Sequence, residues 1–264
     1  MEFFATCNGI PVHISDNRKG DTVLVLLHGY LETLYVWEDF TAKLPEGIRL
    51  ISIDLPGHGL TGTDKSENSL EFSAAVLKAV MEKCGVESAY IMGHSMGGYI
   101  AIEAVKRYPK LFKGLVLMHS TPFADTEEKK SDRDREISLI MQAKLPAIAR
   151  MGIPLMFAKA NQRKFDEKIL ELVELTETHD PEGIVASIEG LKSRPDNLSF
   201  LKECETPLLM FFGADDYHIS AEKAKMLQEE LPRAKSVFLA NSGHNGFLEE
   251  PEIVREELLR FMAL

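Results

Sequence analysis

The stretch Ala89–Ile102, AYIMGHSMGGYIAI, changes its periodicity at a single serine. Ala89, Tyr90, Ile91 and Met92 form a short apolar run after the turn-like Gly85-Val86-Glu87-Ser88, so a strand is expected up to about Met92. Beyond Ser95 the spacing becomes helical: Met96, Tyr99, Ile100, Ala104 and Val105 recur at three- and four-residue intervals until Tyr108-Pro109 closes the run. So sharp a turn forces its central residue into a strained backbone conformation, which only small neighbours permit. Gly93 and Gly97 supply that room. The turn would hold the Ser95 hydroxyl out at the carboxyl end of a strand, beside the free N–H groups of a helix N-terminus. Read alone, G-x-S-x-G also fits a plain turn that lets strand meet helix, so the rest of the chain has to decide.

Working outward, 264 residues suffice for one sizeable α/β core with length to spare for an inserted lid. The formal net charge is -11, and the one dense basic stretch, EEKKSDRDRE, is mixed in sign. Binding to a phosphate backbone is therefore disfavoured, and no nucleic-acid partner is expected. Cys7, Cys84 and Cys204 are far apart, odd in number and lack zinc or redox spacings, so they read as reduced and structural. MEFFATCNGIPVHIS has no basic segment followed by an apolar one, and no apolar run approaches membrane-spanning length. A cytoplasmic protein with no membrane partner is the expectation.

Short apolar runs bounded by turns recur as EFFAT, IPVHI, TVLVLLH, IRLISID, AYIM, GLVLMH, PLLMFF and SVFLA. From the third onward several are apolar throughout, as strands covered on both faces must be. Amphipathic stretches lie between them, at 37–44, 70–81, 96–105, 221–231 and 253–262, so a mainly parallel eight-stranded sheet flanked by helices is expected. EFFAT and IPVHI, joined by Cys7-Asn8-Gly9, read instead as an opening antiparallel hairpin. The alternation stops from about Thr121 to Glu205. That segment shows apolar stripes at Ile137, Ile140, Met141 and Leu145 and at Ile169, Leu172 and Val173, and Asp180-Pro181 looks like a helix start. The expected organisation is a core of residues 1–120 and 206–264 with an all-helical cap at 121–205.

A serine hydroxyl is a weak nucleophile and needs a base, an acid that orients the base, and donors for an oxyanion. NSGHNGFLEEP places His244 on a loop after the last strand, and FFGADDYHIS places Asp215 and Asp216 on a loop after the strand before it. LLHGYLE ends an early strand with Gly29 and leaves the N–H of Tyr30 free, while Asp54-Leu55-Pro56-Gly57-His58-Gly59 ends another with a tight turn.

With these motifs together the chain resembles the α/β-hydrolase superfamily over nearly its whole length. His28-Gly29, Asp54 to Gly59, Gly93-His94-Ser95-Met96-Gly97-Gly98, Gly213-Ala214-Asp215-Asp216 and Gly243-His244 carry the resemblance, in the order Ser, Asp, His. It implies that Ser95 is the nucleophile, His244 the base and Asp216 the acid, with the N–H groups of Tyr30 and Met96 as the oxyanion hole. Asp215 is adjacent, and some members place the acid after the preceding strand, where Asp125 lies. The family's spacing fits Asp216-Tyr217-His218-Ile219-Ser220 and favours Asp216, leaving Asp215 as a surface or loop-bracing carboxylate.

Gly57-His58-Gly59-Leu60-Thr61-Gly62 matches G-x-G-x-x-G, but no helix opens on its last glycine, so no dinucleotide site is expected. His28, His58 and His94 read as loop braces. With His119, His179 and His218 scattered, no metal ligand set emerges. Trp37 reads as a core or interface residue. Tyr30, Met141 and Met156 are candidate pocket residues, although Met141, Met151 and Met156 equally suit helix packing.

The implied function is a cofactor-independent serine hydrolase cleaving esters of small or medium acyl compounds, with a small ester-like molecule as its partner. Hydrolysis of lactones or of carbon–carbon bonds beside a ketone is the alternative, and a slow-turnover small-molecule receptor a second one. Haloalkane dehalogenases and epoxide hydrolases of the superfamily carry aspartate where Ser95 stands.

Overall fold

A computed structural model describes residues 1–63 and 66–264. Among them, eight strands form one sheet: β1 (Glu2–Cys7), β2 (Ile10–Asp16), β3 (Thr22–Leu27), β4 (Ile48–Ile53), β5 (Ala89–His94), β6 (Phe112–Met118), β7 (Leu208–Gly213) and β8 (Lys235–Leu239). Their order is β1-β2-β4-β3-β5-β6-β7-β8. β2 is antiparallel to β1 and β4, and every other neighbouring pair is parallel. Cys7 pairs with Ile10, so the hairpin turns on Asn8-Gly9 alone, at φ 48° and 94°. Two successive positive φ values are what a two-residue hairpin turn of matching twist requires.

The apolar runs are explained by cover on both faces. In β3, Leu24 and Leu26 belong to one buried cluster and Val25 and Leu27 to the other. Side chains of a strand alternate faces, so both faces must be apolar. Because β3 lies between β4 and β5, the order of connection reverses there. In open α/β sheets a crevice forms outside the carboxyl strand ends at such a point. Gly29-Tyr30 follow β3 and Ser95 follows β5, so both stand at the carboxyl strand ends on either side of that reversal.

The expected helix at 37–44 is replaced by a 3-10 turn, Leu34–Trp37, and a short helix, Glu38–Thr41. The Thr33 hydroxyl accepts the Tyr35 N–H at 3.3 Å, and Asp54 Oδ1 accepts the Leu34 N–H at 2.8 Å. Side-chain acceptors thus start the turn earlier than the apolar spacing indicates.

Between β6 and β7 the chain forms helices Glu127–Met141, Leu145–Gly152, Asp166–Glu177, Pro181–Ser193 and Leu198–Glu203, with no strand among the described residues. Pro181 is the first residue of its helix and the Asp180 carboxylate accepts the Glu182 N–H, as a cap there should. Ile140, Leu145, Leu172 and Val173 are buried. Among the described residues no helix is long and apolar enough to cross a membrane. The three cysteines are free, and burial pushes the Cys84 thiol up to about 11.

Candidate active site

Ser95 stands at φ 48° and ψ -112°, between β5 and helix Met96–Arg107. A serine at a helix start ordinarily caps it, but this hydroxyl makes no capping bond. The strain is sustained by close backbone approach. A Cβ on Gly97 would lie 2.4 Å from the Leu27 carbonyl oxygen, and one on Gly93 would lie 2.3 Å from that of Gly97. Only glycine fits at either place, and the first turn of the helix is thereby pressed onto the end of β3. The N–H of Met96, at the first helical position, has no partner within its own helix.

The loops after β7 and β8 bring Asp216 and His244 together. His244 Nδ1 lies 3.0 and 2.9 Å from the two Asp216 carboxylate oxygens. Oδ1 of Asp216 also accepts the N–H groups of His218 and Ile219, at 2.7 and 3.0 Å. Burial opposes ionisation of this carboxyl, but the attraction of His244 and the hydrogen bonds from His119 and His244 hold it well below the usual carboxylate range. An anion aimed at Nδ1 leaves His244 Nε2 as the proton-accepting atom. The His244 loop is pinned from outside: the Met156 carbonyl accepts the N–H groups of His244 and Asn245, and Glu249 accepts those of Gly243 and Ala158.

On the opposite side, Glu32 Oε2 accepts the Gly29 N–H at 2.6 Å and lies 2.8 Å from His94 Nδ1. The other ring nitrogen of His94 donates to the His244 carbonyl at 2.9 Å. Burial works against both charges, yet their attraction holds Glu32 below its ordinary value and His94 above its own. This buried ion pair joins the loop after β3, the residue preceding Ser95 and the loop carrying His244.

The remaining candidates separate. Asp215 is exposed and accepts the Lys159 N–H. Asp125 is engaged by Arg133 and, at 2.7 Å, by Arg194. Tyr30 donates its hydroxyl to Glu136 at 2.8 Å, and burial and that carboxylate push its phenol well above the ordinary range. Met156 is buried beside the His244 loop through its carbonyl, whereas Met141 is 65% exposed. Met141 adjoins buried Ile140 in sequence, about 100° farther round the helix, and faces outward.

His28 and His58 brace loops by accepting the N–H groups of Leu55 and Leu31. The first helix after Gly62 is Leu70–Lys83, so none opens on that glycine. Trp37 is buried against Phe247.

His119 is not scattered from the site as expected. Its Nδ1 lies 3.1 Å from Asp216 Oδ2. His119, Asp216 and His244 each offer one nitrogen or oxygen atom within 4.8 Å of the others, the spacing of a metal ligand set, although both imidazoles already hydrogen-bond the Asp216 carboxylate. Glu32, His119 and Glu249 were missed as site residues. Their signal was a polar or acidic residue at the end of, or just beyond, an apolar run.

Comparison with known proteins agrees with this architecture. The family model for the alpha/beta hydrolase fold matches residues 22–251. A pimeloyl-[acyl-carrier protein] methyl ester esterase of Yersinia enterocolitica is 25% identical over 250 residues, covering 92% of this chain and 94% of that protein. A 2-hydroxy-6-oxononadienedioate/2-hydroxy-6-oxononatrienedioate hydrolase of Paraburkholderia phymatum is 27% identical, covering 96% and 91%. The solved structure of a thermophilic esterase from Thermogutta terrifontis superposes with a TM-score of 0.93 at 24% identity, covering 100% of this chain and 98% of that one. With most of its length matched by the family model, and its motifs at the strand ends where that fold carries them, the chain belongs to the alpha/beta hydrolase fold family.

Proposed function

We propose that the protein is a cofactor-independent serine hydrolase that cleaves carboxylic esters of small or medium acyl compounds through an acyl-enzyme. Ser95 Oγ attacks the acyl carbon while His244 Nε2 takes its proton, and the N–H groups of Tyr30 and Met96 receive the oxyanion. The alkoxide leaves with the proton from His244. Water, deprotonated by the same imidazole, then attacks the acyl-enzyme, and Ser95 recovers its proton. Asp216 keeps Nδ1 protonated and offsets the imidazolium charge.

The observation that carries this reading is the double approach of Asp216 to His244 Nδ1, at 2.9 and 3.0 Å, on the same sheet edge as the strained, uncapped Ser95. Residues 121–205 would act as a cap over the core formed by 1–120 and 206–264. The bonds from Met156 to the His244 loop and from Tyr30 to Glu136 support that role.

A fluorophosphonate probe tests the nucleophile. Labelling should be lost in Ser95→Ala, and a labelled Ser95→Ala would overturn the assignment. A panel of esters, lactones and ring-cleavage diketones tests the reaction class. The likeness to the Paraburkholderia hydrolase favours one second reading, cleavage of a carbon–carbon bond beside a ketone, and turnover of the diketones alone would select it. Thermal stabilisation by such compounds without turnover would mark a receptor instead.

A further inference from the structure

We infer that His119 is a positioning residue for the His244 and Asp216 pair, an inference that rests on the serine-hydrolase reading: its ring donates a fixed N–H to Asp216 and accepts the N–H of Gly246, holding acid and base loop at one spacing. The tautomer follows from the neighbours. His119 Nε2 lies 3.2 Å from the Gly246 backbone nitrogen, which can only donate, so Nε2 is the unprotonated atom. The single proton of the neutral ring is then on Nδ1, 3.1 Å from Asp216 Oδ2. Burial lowers the pKa of this imidazole to about 4, which keeps it neutral near pH 7.

The backbone gives the ring no freedom. His119 follows β6 directly, between the strands that precede Ser95 and Asp216, and holds φ 48° while its N–H bonds the Phe211 carbonyl of β7 at 3.1 Å. A Cβ on Gly246 would lie 2.4 Å from His119 Nε2, so the chain two residues after His244 is seated against the ring. One side chain therefore bonds both Asp216 and the loop that carries His244, from the end of the strand whose Met118 carbonyl also accepts the Ser95 N–H at 3.0 Å.

A donor on Asp216 also has an electrostatic consequence. The positive end of its dipole faces the carboxylate and offsets part of its charge. Removing the donor should move the acid limb of kcat/KM to higher pH. Around the pair stand the His94 ring, 5.0 Å from His244 and 6.3 Å from His119, with Glu32 behind it, and the His218 ring, 4.7 Å from His244. Lys129 of the cap helix acts on His218. None of these changes in the variants below.

Turnover of 4-nitrophenyl acetate from pH 5 to 9, with melting temperatures, is compared for the wild type, His119→Gln and His119→Asn. Glutamine places an acceptor where Nε2 stands but no donor at Nδ1. Asparagine places a donor at Nδ1, loses the Gly246 contact and tolerates the positive φ. The expected result is a roughly tenfold fall in kcat with an acid limb about half a unit higher for His119→Gln, and a limb unmoved for His119→Asn. Equal limbs in both variants, with losses that follow melting temperature alone, would overturn the inference. Asp216→Asn separates the two levels. Its loss of turnover beside an unmoved His119→Gln limb sinks only the positioning role, whereas its full activity sinks the serine-hydrolase reading and the inference together.

Discussion

The carboxyl edge of the sheet and the helical segment 121–205 are held together in opposite ways. At the edge, the side chains of Glu32, His94, His119 and Asp216 are wholly buried and polar, each partnered within 3.1 Å. Backbones approach so closely at Gly93 and Gly97 that a single Cβ would collide. In the helical segment, Met151, Met141 and Leu170 stand 75%, 65% and 58% exposed. Several of its joins to the core are single hydrogen bonds, such as Tyr30 to Glu136 and the Thr176 hydroxyl to the Leu31 carbonyl. Losing the partner of a buried polar group costs free energy, so these contacts disfavour rearrangement of the edge, although Glu32 Oε1 and the Asn245 side chain have no partner among the described residues. Apolar helix contacts tolerate repacking. On the proposed function, reaction chemistry would belong with the first kind of construction and adaptable selectivity with the second.

That contrast breaks first, if it breaks, at Ser95 and His244. Nucleophile and base act as a unit, so Ser95→Ala and His244→Ala should each lower kcat for an acetate ester by on the order of 10⁶-fold, with melting temperature retained. Near wild-type turnover by purified Ser95→Ala would remove the chemistry from the sheet edge altogether.

Asp216 and Asp125 sharpen it, being two buried acids on different constructions. Asp216→Asn should cost roughly 10⁴-fold in kcat by leaving His244 in the wrong tautomer. Asp125→Asn leaves Arg133 and Arg194 short of a counter-charge and should cost stability, about 3 kcal/mol in urea, with kcat within a few-fold. Asp215→Asn should do neither. If kcat collapses in Asp125→Asn and survives in Asp216→Asn, the acid has been assigned to the wrong region.

Glu32→Gln tests the ion pair within the edge. His94, raised above 6.5, contributes stability that is complete below 6.5 and is lost as pH rises through its raised value. Glu32, lowered below 4.5, contributes stability that is complete above 4.5 and is lost as pH falls through its lowered value. The gap between wild type and variant should be widest, about 3 kcal/mol, from pH 4.5 to 6.5 and narrow on either side. Urea titrations at several pH values measure it, and a gap independent of pH would mean the pair is not ionised.

The smallest effect is expected on the helical segment. Met141→Ser should change stability by no more than about 0.5 kcal/mol and leave the acetate-to-octanoate profile of kcat/KM unaltered. A shifted chain-length preference would place Met141 in the pocket.

The eight strands, the opening hairpin, the helical interruption and the order Ser95, Asp216, His244 are all legible in the sequence. Apolar periodicity and turn residues are local signals, set by burial of one face or two. The exchange of a helix at 37–44 for a turn from Leu34 was not legible, because its acceptor, Asp54, lies 20 positions away. Nor was the divergence of Ile140 and Met141, neighbours at 1% and 65% exposure. A stripe of apolar residues shows that a helix has a buried face without showing where that face ends.

What the sequence determined by itself is therefore the frame: which segments are strands, where the chain must turn sharply, and which residue types gather at the turns. Only the tertiary structure decided the partners. His119 meets Asp216 across 97 positions, and Glu32 meets His94 across 62. Strand order departs from chain order where β3 lies between β4 and β5, and that places β3 beside β5. A buried polar atom is satisfied by whatever the topology brings within about 3 Å, and no local pattern encodes that distance.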